Sequence, residues 1–404
     1  MTERLYYTDS FSHQFEARVV AVSADIVTLD RSAFYPTSGG QIFDTGWLEV
    51  NGCRLRVKEV IENGQTGDVL HVVESAAETL QPGSIVRGAI DAERRLDHMQ
   101  QHTGQHVLSA AFERLFGIAT VSFHMGDESC TIDLATDAIN PKQLQAAEEL
   151  ANQVIAEDRP VGIRFATADE ARNLGVRKIP PAERDKLRLI DVHDFDLNAC
   201  GGTHVRSTGQ IGSILLRKTE KVKRGARVEF VCGMRAVRTA RRDFETLTEA
   251  AAVFSTHIWE VPQQVRKSLD EIKTAQKAQY RLLEGVAELQ ADRMLQSAEK
   301  RGGHNLVVQF FPERDLAFIK MLAQKLTRTG DAVALLSCGG AQPSLVFAQT
   351  PGLGRDMGAL MKQTVQPLGT RGGGNRDMAQ GGAPDSARAE QALQQAASVI
   401  VGSG

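Results

Sequence analysis

Residues 47–57 read Trp47-Leu48-Glu49-Val50-Asn51-Gly52-Cys53-Arg54-Leu55-Arg56-Val57. Apolar and polar side chains alternate on both sides of the central Asn-Gly pair, which is the period of a strand with one buried face. Asn-Gly favours the positive φ angles of a two-residue type I′ turn. The stretch therefore predicts a β-hairpin.

Short strand-like runs continue in both directions from this hairpin. Val19–Val22 and Ile26–Leu29 flank a polar turn on its amino-terminal side. On the other side, Asn63-Gly64 and Pro82-Gly83 mark turns before further apolar runs. Because such strands need a shared core, we expect a small antiparallel barrel or sandwich over residues 1–90.

The pattern changes from strands to helices at Asp91. Apolar residues at helical spacing predict one helix over residues 91–115 and another over Pro141–Ala156. Strands are expected at Thr131–Leu134, Gly162–Phe165, Ile211–Leu216 and Val228–Val231. Residues 91–234 therefore predict an α+β domain.

Two further regions follow this domain. Residues 235–302 contain a long amphipathic run after Pro262, which predicts a helical arm. In residues 303–404, strand-like runs at 306–311, 332–337 and 344–347 accompany a helical pattern at 316–326. This last region predicts an α/β domain, so the whole chain is expected to be an α+β multidomain protein.

Two pairs of residues form a candidate metal site. His102 and His106 are four positions apart on the predicted helix, so both imidazoles share one face. Cys200 and His204 enclose Gly201-Gly202, and a tight turn there directs a thiolate and an imidazole toward one point. Taken separately, the pairs also fit an exposed helical face and a buried free cysteine beside a loop histidine. Together they form a zinc ligand set that joins distant segments.

A third candidate element is the glycine-containing stretch Phe34–Gly46. Its polar side chains surround two glycines: Thr37, Ser38, Gln41 and Asp44 around Gly39 and Gly40. Glycine lets a ligand approach the backbone closely, so the stretch is typical of a binding loop. The same composition also fits a solvent-exposed hairpin loop.

These three elements, in this order, resemble the editing domain of alanyl-tRNA synthetases and their freestanding relatives, the AlaX-type alanyl-tRNA editing proteins. The motifs that carry the resemblance are Phe34–Gly46, His102 with His106, Asp196–His204, Thr208–Gly212 and Arg227–Phe230. In addition, Gly372–Gly374 and Ala379–Gly382 resemble the C-terminal domain of the same synthetases.

The resemblance implies four domains. They are a β-barrel (1–90), a zinc-bearing α+β editing domain (91–234), a helical arm (235–302) and a C-terminal α/β domain (303–404). No segment resembles the aminoacylation core of the synthetases, and the chain opens almost at the first strands of the editing domain. We therefore expect a long freestanding editing factor.

The implied reaction is zinc-dependent hydrolysis of the ester between a wrong amino acid and alanine tRNA. The expected amino acid is serine, with glycine as a second. Zinc would be held by His102, His106, Cys200 and His204, and would either activate water or hold the substrate. The residues expected to bind the substrate are Thr37, Ser38, Gly39, Gly40, Gln41 and Thr203. No catalytic residue is assigned.

The charge distribution suggests where the tRNA binds. The chain has 47 Lys and Arg against 50 Asp and Glu, for a formal net charge of −3. Residues 217–242, however, hold ten basic and two acidic groups. The candidates for tRNA binding are Arg217, Lys218, Lys221, Lys223, Arg224 and Arg227. A solvated, charged face is the alternative interpretation of this cluster.

Other features limit the class of protein. No run of about 18 apolar residues exists, so no membrane partner is expected. The five scattered cysteines do not form a disulfide framework, and the start of the chain lacks a signal-peptide pattern, so we expect a cytoplasmic protein. The expected partners are mischarged alanine tRNA and a second copy bound through the C-terminal domain.

Features of the sequence bear on three alternative functions. Threonyl-tRNA synthetases carry a related editing module that clears serine, but Phe34–Gly46 and the C-terminal domain favour the alanine system. A non-catalytic tRNA-binding protein with a structural zinc fits the same ligand set. A phosphoesterase is disfavoured because Asp97-His98-Met99 is the nearest approach to an Asp-His-His tripeptide.

Overall fold

The structure of the protein is a computed structural model that describes residues 1–74, 80–176, 186–223 and 225–402. The chain forms two compact units, Met1–Glu249 and Ala250–Gly404. None of the helices in the described residues is long and apolar enough to cross a membrane.

The first unit begins with a closed β-barrel. The strands of this region are β1 (Glu3–Arg4), β2 (Gln14–Ser23), β3 (Ile26–Leu29), β4 (Arg31–Ser32), β5 (Gly46–Val50), β6 (Cys53–Glu62), β7 (Val69–Val73) and β8 (Ile85–Ile90). The barrel has the order β2-β3-β7-β6-β5-β8, and every neighbouring pair is antiparallel. Strands β1 and β4 form a separate short parallel pair. The predicted barrel is thereby confirmed.

The hairpin at residues 47–57 has the predicted geometry. Strands β5 and β6 pair from Gly46 opposite Val57 to Val50 opposite Cys53. Asn51 and Gly52 have φ angles of 48° and 80°, as a type I′ turn requires. Leu48 and Val50 are buried in the barrel, which confirms that the alternating residues place one face of the hairpin inside.

The remainder of the first unit is α+β, as predicted. Its elements are α1 (Ala92–Phe116), β9 (Thr120–Met125), β10 (Cys130–Leu134), α2 (Pro141–Ala156), β11 (Val161–Ala166), α3 (Ala168–Asn173), β12 (Leu187–Val192), β13 (Asp196–Ala199), β14 (Ile214–Val222) and β15 (Gly225–Cys232). One sheet has the order β14-β15-β10-β9, and a second has the order β11-β12-β13.

Helix α1 positions the candidate site. It begins at the N-cap residue Asp91, whose side chain accepts a hydrogen bond from the backbone N–H of Arg94, and it ends at Gly117, with φ 67°. A Cβ on Gly104 would lie 2.3 Å from Sγ of Cys232, so glycine is needed where α1 passes strand β15. This close approach lets α1 pack directly against β15.

One predicted strand begins later than expected. Ile211–Leu216 is a strand only from Ile214, because Thr208–Ile211 forms a 3₁₀ turn. The turn is followed by Gly212, whose φ is 87°. The backbone N–H and C=O of Ile214 are both bound by the side chain of Asn152 in α2, which fixes the start of β14.

The long helices of the predicted arm are present. They are α4 (Gly233–Val253) and α5 (Val261–Ser297), the latter with Pro262 in its first turn. Proline is tolerated there because the first N–H groups of a helix have no partner within it. Apolar side chains of α5 are largely exposed before its last three turns, where Ala287 and Ala291 are buried.

The second unit has a mixed six-stranded sheet covered by helices. The remaining elements are β16 (Glu299–Arg301), β17 (His304–Phe311), α6 (Leu316–Thr329), β18 (Ala332–Cys338), β19 (Ser344–Gln349), α7 (Met357–Val365), β20 (Gly372–Gly374), β21 (Met378–Gly382) and α8 (Ser386–Gly402). The sheet order is β16-β17-β18-β19-β21-β20, and within this sheet the described neighbouring strands are antiparallel except for β17 and β18, which are parallel. Every residue of β18 and β19 is buried, since helices cover both faces.

Candidate metal centre and adjoining cleft

The four residues predicted as metal ligands lie together. His102 and His106 project from one face of α1, Cys200 directly follows β13, and His204 lies in the loop after it. One donor atom from each residue lies within 4.8 Å of the others. The three histidines are almost fully buried, and Cys200 is half-buried. The helix and the loop that follows β13 thus form one cluster, although 94 residues of sequence separate His106 from Cys200.

Each of the three imidazoles forms a hydrogen bond through Nδ1 with a residue outside the cluster. The partners are Gln41 Oε1 for His102 at 2.8 Å, Asp196 Oδ2 for His106 at 3.3 Å and Thr103 Oγ1 for His204 at 3.2 Å. Gln41 and Asp196 present oxygen acceptors, so Nδ1 carries the proton in those two bonds. This arrangement assigns Nε2 of the rings to the interior of the cluster.

The Nε2 atoms accordingly face the thiol. Cys200 Sγ lies 3.4 Å from Nε2 of His102 and 3.3 Å from Nε2 of His204. Imidazoles held through Nδ1, with Nε2 directed at a common point, are typical of metal-bound histidines. Three nitrogen donors and one thiolate form a donor set that fits zinc.

The turn between Cys200 and His204 requires glycine at one position. A Cβ on Gly202 would lie 2.1 Å from Cε1 of His102, whereas a Cβ on Gly201 would meet only the Tyr7 hydroxyl, at 3.5 Å. Only the second glycine of the pair is therefore needed for the imidazole to pack against the turn.

Arg188 in β12 holds the same turn from outside the cluster. Its Nη1 donates hydrogen bonds to the backbone oxygens of Cys200 and Gly202, at 2.7 and 2.9 Å. Its Nε donates to the backbone oxygen of Tyr7 at 2.9 Å. The guanidinium is buried, so these bonds are made with little competition from water. No sequence motif pointed to this residue.

The ionisation of the cluster partly matches what a metal ion needs. Burial disfavours the Cys200 thiolate, but the neighbouring His102 and His204 outweigh it and hold the pKa of the thiol well below its usual value. Burial lowers the pKa of His204 to about 3. Metal ligands bind as thiolate and neutral imidazole, so the lowered pKa values of Cys200 and His204 favour the forms that a metal ion binds.

His106 differs from His204 in this respect. Burial opposes its protonation, but hydrogen bonds with Asp196 and Cys200 outweigh burial and raise its pKa to about 9. A metal ion bound at Nε2 would therefore displace a proton from this ring.

Only some residues of the predicted binding loop contact the candidate metal centre. Gln41 is fully buried; besides accepting from His102, its Oε1 accepts from the backbone N–H of Thr203 at 3.0 Å. Its Nε2 donates to Thr203 Oγ1 at 2.8 Å. Thr37 and Ser38 are exposed and do not line the cleft described below. Of the predicted substrate-binding side chains, Gln41 and Thr203 therefore reach the metal centre, and they bind each other there.

The two glycines of this loop have separate roles in the fold. Gly39 and Gly40 have φ angles of 57° and 87°, in the region that favours glycine. A Cβ on Gly40 would lie 2.4 Å from the backbone oxygen of Phe123 in β9, so this position must be glycine. Gly39 has open space around it and lines the cleft.

A buried ion pair anchors the loop to the start of α1. Arg95 and Asp44 are both fully buried, and Arg95 also donates to the backbone oxygens of Ser10 and Ala33. Asp44 accepts a further bond from the backbone N–H of Tyr35 at 2.7 Å. Because an unpaired buried charge is strongly destabilising, this network fixes Phe34–Gly46 against the helix that carries the histidines.

A cleft of about 520 Å³ opens beside the metal centre. Side chains of α1, β9 and β13 line it, and His102, His106 and Cys200 form its inner end. Its other lining residues are Gly39, Gln105, Ser109, Glu113, Ala119, Thr120, Val121, Ser122, Phe123, Asn198 and Ala199. The volume is in the range of small-ligand sites.

The basic residues predicted to bind tRNA are partly engaged in ion pairs. Arg217 pairs with Asp243, Lys218 with Glu220 at 2.9 Å, and Arg227 with Asp133 at 2.7 Å. Lys221 and Lys223 are exposed, and no acidic group lies within ion-pair distance of either among the described residues. Arg224 lies outside the described residues. Phosphate binding by these six residues stays a prediction.

Two sequence families match parts of the chain. Residues 6–94 match the family described as tRNA synthetases class II (A). Residues 187–227 match the family described as threonyl and alanyl tRNA synthetase second additional domain. The second match includes Cys200 and His204, and the first includes Gln41.

Individual relatives extend the similarity over almost the whole chain. An alanine–tRNA ligase of Pyrococcus abyssi is 32% identical over 404 residues, covering 97% of this chain and 43% of the ligase. This chain thus spans less than half the length of that ligase. The alanyl-tRNA editing protein AlaX-L of Pyrococcus horikoshii is 29% identical over 390 residues, covering 94% of both chains.

One solved structure aligns with a smaller part. The C-Ala domain of Aquifex aeolicus alanyl-tRNA synthetase covers 26% of this chain and 96% of its own, at 20% identity and a TM-score of 0.24. The similarity rests on the sequence matches instead. They confirm the resemblance inferred from the motifs: over almost its whole length the chain is similar to alanine–tRNA ligases and to the alanyl-tRNA editing protein AlaX-L.

Proposed function

We propose that this protein hydrolyses the ester that joins serine, and secondarily glycine, to alanine tRNA, at a zinc ion held by His102, His106, Cys200 and His204. One observation carries the proposal. Three imidazoles are engaged through Nδ1, the Nε2 atoms of His102 and His204 face the Cys200 thiol, and residues of the cluster line a cleft. The similarity to a protein named as an alanyl-tRNA editing protein supports the choice of substrate.

The residues of the chain prepare the site. When bound, zinc would supply a Lewis acid that lowers the pKa of water or holds a polar group of the substrate. Gln41 and Asp196 accept the Nδ1 protons of His102 and His106, so that Nε2 is the atom of each ring that would bind the metal, after loss of a proton in the case of His106. Arg188 and Gly202 hold the turn that presents the thiol.

Selectivity follows from the chemistry of one hydroxyl. Serine differs from alanine only by its side-chain hydroxyl. A pocket with polar groups that hydrogen-bond this hydroxyl would leave those groups unpaired when alanine binds. The candidates for that hydrogen bond are Thr37, Ser38 and Gln41, and of these three Gln41 is the side chain that reaches the metal centre. An amide has two N–H donors, and Gln41 uses one of them on Thr203. We therefore retain Gln41 as the candidate that contacts the serine hydroxyl.

The direct test uses charged tRNA. The protein is incubated with Ser-, Gly- and Ala-charged alanine tRNA, with and without a zinc chelator, and ester loss is followed. We expect rapid loss of serine, slower loss of glycine, retention of alanine and inhibition by the chelator. Hydrolysis of none of the three would overturn the proposal.

Serylated threonine tRNA is a necessary comparison. One matching family is named after both the threonyl and the alanyl synthetases, so the rates of deacylation of the two serylated tRNAs are compared. Faster deacylation of serylated threonine tRNA than of serylated alanine tRNA would assign the protein to the threonine system.

The same protein samples, with and without the chelator, distinguish a catalytic zinc from a structural zinc. Loss of activity on chelation with an unchanged circular dichroism spectrum would support the enzyme. Unfolding on chelation, without any hydrolytic activity before it, would support a tRNA-binding protein with a structural metal. A cytoplasmic location and a homodimer through residues 303–404 complete the proposal, and fractionation and sedimentation velocity test them.

A further inference from the structure

A small pocket lies in the first unit, between helix α4 and the turn that joins β9 to β10. Its volume is about 280 Å³, just below the range of about 300–1,000 Å³ that is usual for small-molecule sites. The lining residues, none of which belongs to the cleft or the metal centre, are Asp127, Glu128, Arg235, Arg238, Thr239 and Arg242. We propose that this pocket binds one ribose–phosphate unit of an RNA strand; only the identity of that RNA as a tRNA rests on the proposed function.

One face of α4 supplies the basic wall of the pocket. Arg235, Arg238, Thr239 and Arg242 are spaced at i, i+3, i+4 and i+7, so their side chains project from the same side of the helix. Arg238 and Arg242 are exposed, and no acidic group lies within ion-pair distance of either among the residues that the structure describes. Two guanidinium groups one helical turn apart, neither neutralised by the protein, can bind the oxygens of one phosphate.

A buried arginine joins the two walls. Arg235 is 5% exposed; its Nη1 donates to the backbone oxygen of Gly126 in the turn at 2.6 Å, and its Nε donates to Asp97 Oδ1 of α1 at 2.8 Å. The turn is closed by a hydrogen bond from the backbone N–H of Gly126 to the backbone oxygen of Ser129, at 2.9 Å. Because these contacts hold α1, α4 and the turn together, the walls are in place before a ligand binds, and little ordering is required on binding.

The opposite wall is acidic, and this feature favours RNA. Asp127 lies 3.8 Å from Arg94 Nη1, whereas Glu128 has no basic group within ion-pair distance in the described part of the chain. A carboxylate repels phosphate, but it accepts hydrogen bonds from ribose hydroxyls. Thr239 adds a hydroxyl, which both donates and accepts, to the basic wall. A phosphate bound to the two free arginines, with a ribose 2′-hydroxyl directed at Glu128, matches both walls, and a deoxyribose lacks that donor.

An acidic protein segment would also bind free arginines, but it matches the acidic wall less well. Its carboxylates would face those of Asp127 and Glu128 across a pocket of about 280 Å³, and an ionised carboxylate has no proton to donate to them. A sugar–phosphate unit presents an anion to one wall and hydroxyl donors to the other. The pairing of a basic wall with an acidic wall therefore favours RNA as the ligand.

Binding of uncharged alanine tRNA to the zinc-loaded full chain tests the basic wall. Arg238→Gln and Arg242→Gln should each weaken binding about tenfold, because each removes a charged hydrogen bond to phosphate. Arg241→Gln is the matched control, since it removes an exposed arginine of the same helix that does not line the pocket, and its effect should be much smaller. Equal losses of affinity in the three variants would overturn the inference.

A comparison of RNA with DNA tests the acidic wall. The probes are an RNA hairpin with the acceptor-stem sequence of alanine tRNA and a DNA hairpin of the same sequence. Glu128→Ala should reduce the preference for RNA about tenfold, because it removes the acceptor of a 2′-hydroxyl and also a charge that repels both backbones. Glu245→Ala, which changes an exposed glutamate of α4 outside the pocket, should leave the ratio of the two affinities unchanged. An unchanged ratio in Glu128→Ala would contradict the binding of ribose here.

The inference and the proposed function fail in different ways. If Ser-charged tRNA is hydrolysed but the Arg238 and Arg242 variants bind tRNA as the wild type does, the proposed function stands and the pocket assignment is overturned. If the wild type hydrolyses no charged tRNA but these variants still weaken RNA binding, the proposed function fails and the pocket assignment stands. Titration calorimetry with inorganic phosphate completes the test, since tighter binding of inorganic phosphate than of the RNA hairpin would contradict the inference.

Discussion

The side-chain oxygen of Gln41 lies 2.8 Å from Nδ1 of His102, and the same oxygen accepts the backbone N–H of Thr203 at 3.0 Å. One amide from the loop before β5 therefore joins the two segments that supply the candidate metal ligands, the helix α1 and the turn after Cys200. Gln41 is fully buried, so it cannot rotate away without leaving both partners unpaired. The orientation of His102 depends on a residue 61 positions away in the sequence.

Substitution of Gln41 should weaken metal binding before it affects the fold. Gln41→Ala removes the acceptor of the His102 Nδ1 proton, and loss of such a partner typically costs about 10–100-fold in metal affinity. Gln41→Glu keeps an oxygen at that position and should retain more affinity. Zinc affinity is measured by competition with a chromophoric chelator. We also expect Gln41→His to slow deacylation of Ser-charged tRNA; unchanged rates would remove Gln41 from the site.

Gly202→Ala should disrupt the centre, and Gly201→Ala should not. The new Cβ at position 202 would lie 2.1 Å from Cε1 of His102, so either the ring or the turn must move. Overpacking of this kind costs about 1–3 kcal/mol in the free energy of unfolding. At position 201 the nearest atom would be 3.5 Å away, an ordinary contact. Denaturant unfolding and zinc content of the two purified variants provide the comparison, and equal behaviour would contradict the geometry.

Cys200→Ala should abolish both zinc binding and activity. The thiol lies within 3.4 Å of Nε2 of His102 and of His204, and Cys200 is the sulfur-bearing member of the four-residue group. Cys53→Ala, which changes an exposed cysteine, is the control for removal of a thiol. Elemental analysis should find zinc in the control and not in Cys200→Ala, and deacylation should fall to the uncatalysed rate. Stoichiometric zinc with full activity in Cys200→Ala would refute the ligand assignment.

Local sequence patterns predicted the fold well where a pattern is compatible with only one local structure. Asn51-Gly52 sets a type I′ turn whatever surrounds it, and the spacing of His102 and His106 places both on one face of any helix. The predicted start of β14 was wrong because Thr208–Ile211 forms a 3₁₀ turn and the side chain of Asn152 in α2 binds both backbone groups of Ile214. Tertiary contacts of this kind have no local signature.

The supporting residues of the site were harder to find for the same reason. Thr103 and Asp196 lie next to or near predicted ligands in the sequence, but only the folded chain shows that each engages an imidazole Nδ1. Arg188 belongs to no motif, since its partners come from other elements. Motifs reveal the atoms that perform the chemistry, while the residues that orient those atoms depend on topology.

His71 should make the barrel sensitive to acid. It is fully buried, with Nε2 2.7 Å from Ser32 Oγ and Nδ1 3.0 Å from the backbone oxygen of Val27, and burial lowers its pKa to about 4. In the unfolded chain this histidine has a pKa of about 6.5. The contribution of neutral His71 to the free energy of unfolding is therefore fully present above pH 6.5 and is lost as the pH falls toward 4. The loss should approach about 3 kcal/mol.

The measurement compares unfolding free energies of the wild type and His71→Asn between pH 4 and 7. Other groups that titrate in this range occur in both proteins, so the difference between the two curves isolates His71. We expect the wild type to lose stability more steeply with acid than the variant does. Parallel curves would show that His71 does not carry this dependence.

Lys221 and Lys223 should contribute more to tRNA binding than Arg227 does. Arg227 is neutralised by Asp133 at 2.7 Å, whereas neither lysine has an acidic partner within ion-pair distance among the described residues. Each phosphate contact that is lost reduces the slope of log affinity against log salt by about 0.9. Lys221→Ala and Lys223→Ala should each lower the slope by that amount, and Arg227→Ala by less. Lys58→Ala, on a barrel lysine paired with Asp25, serves as the control in the same salt titrations. If the affinity of the wild type does not change with salt, phosphate contacts do not hold the tRNA at this surface.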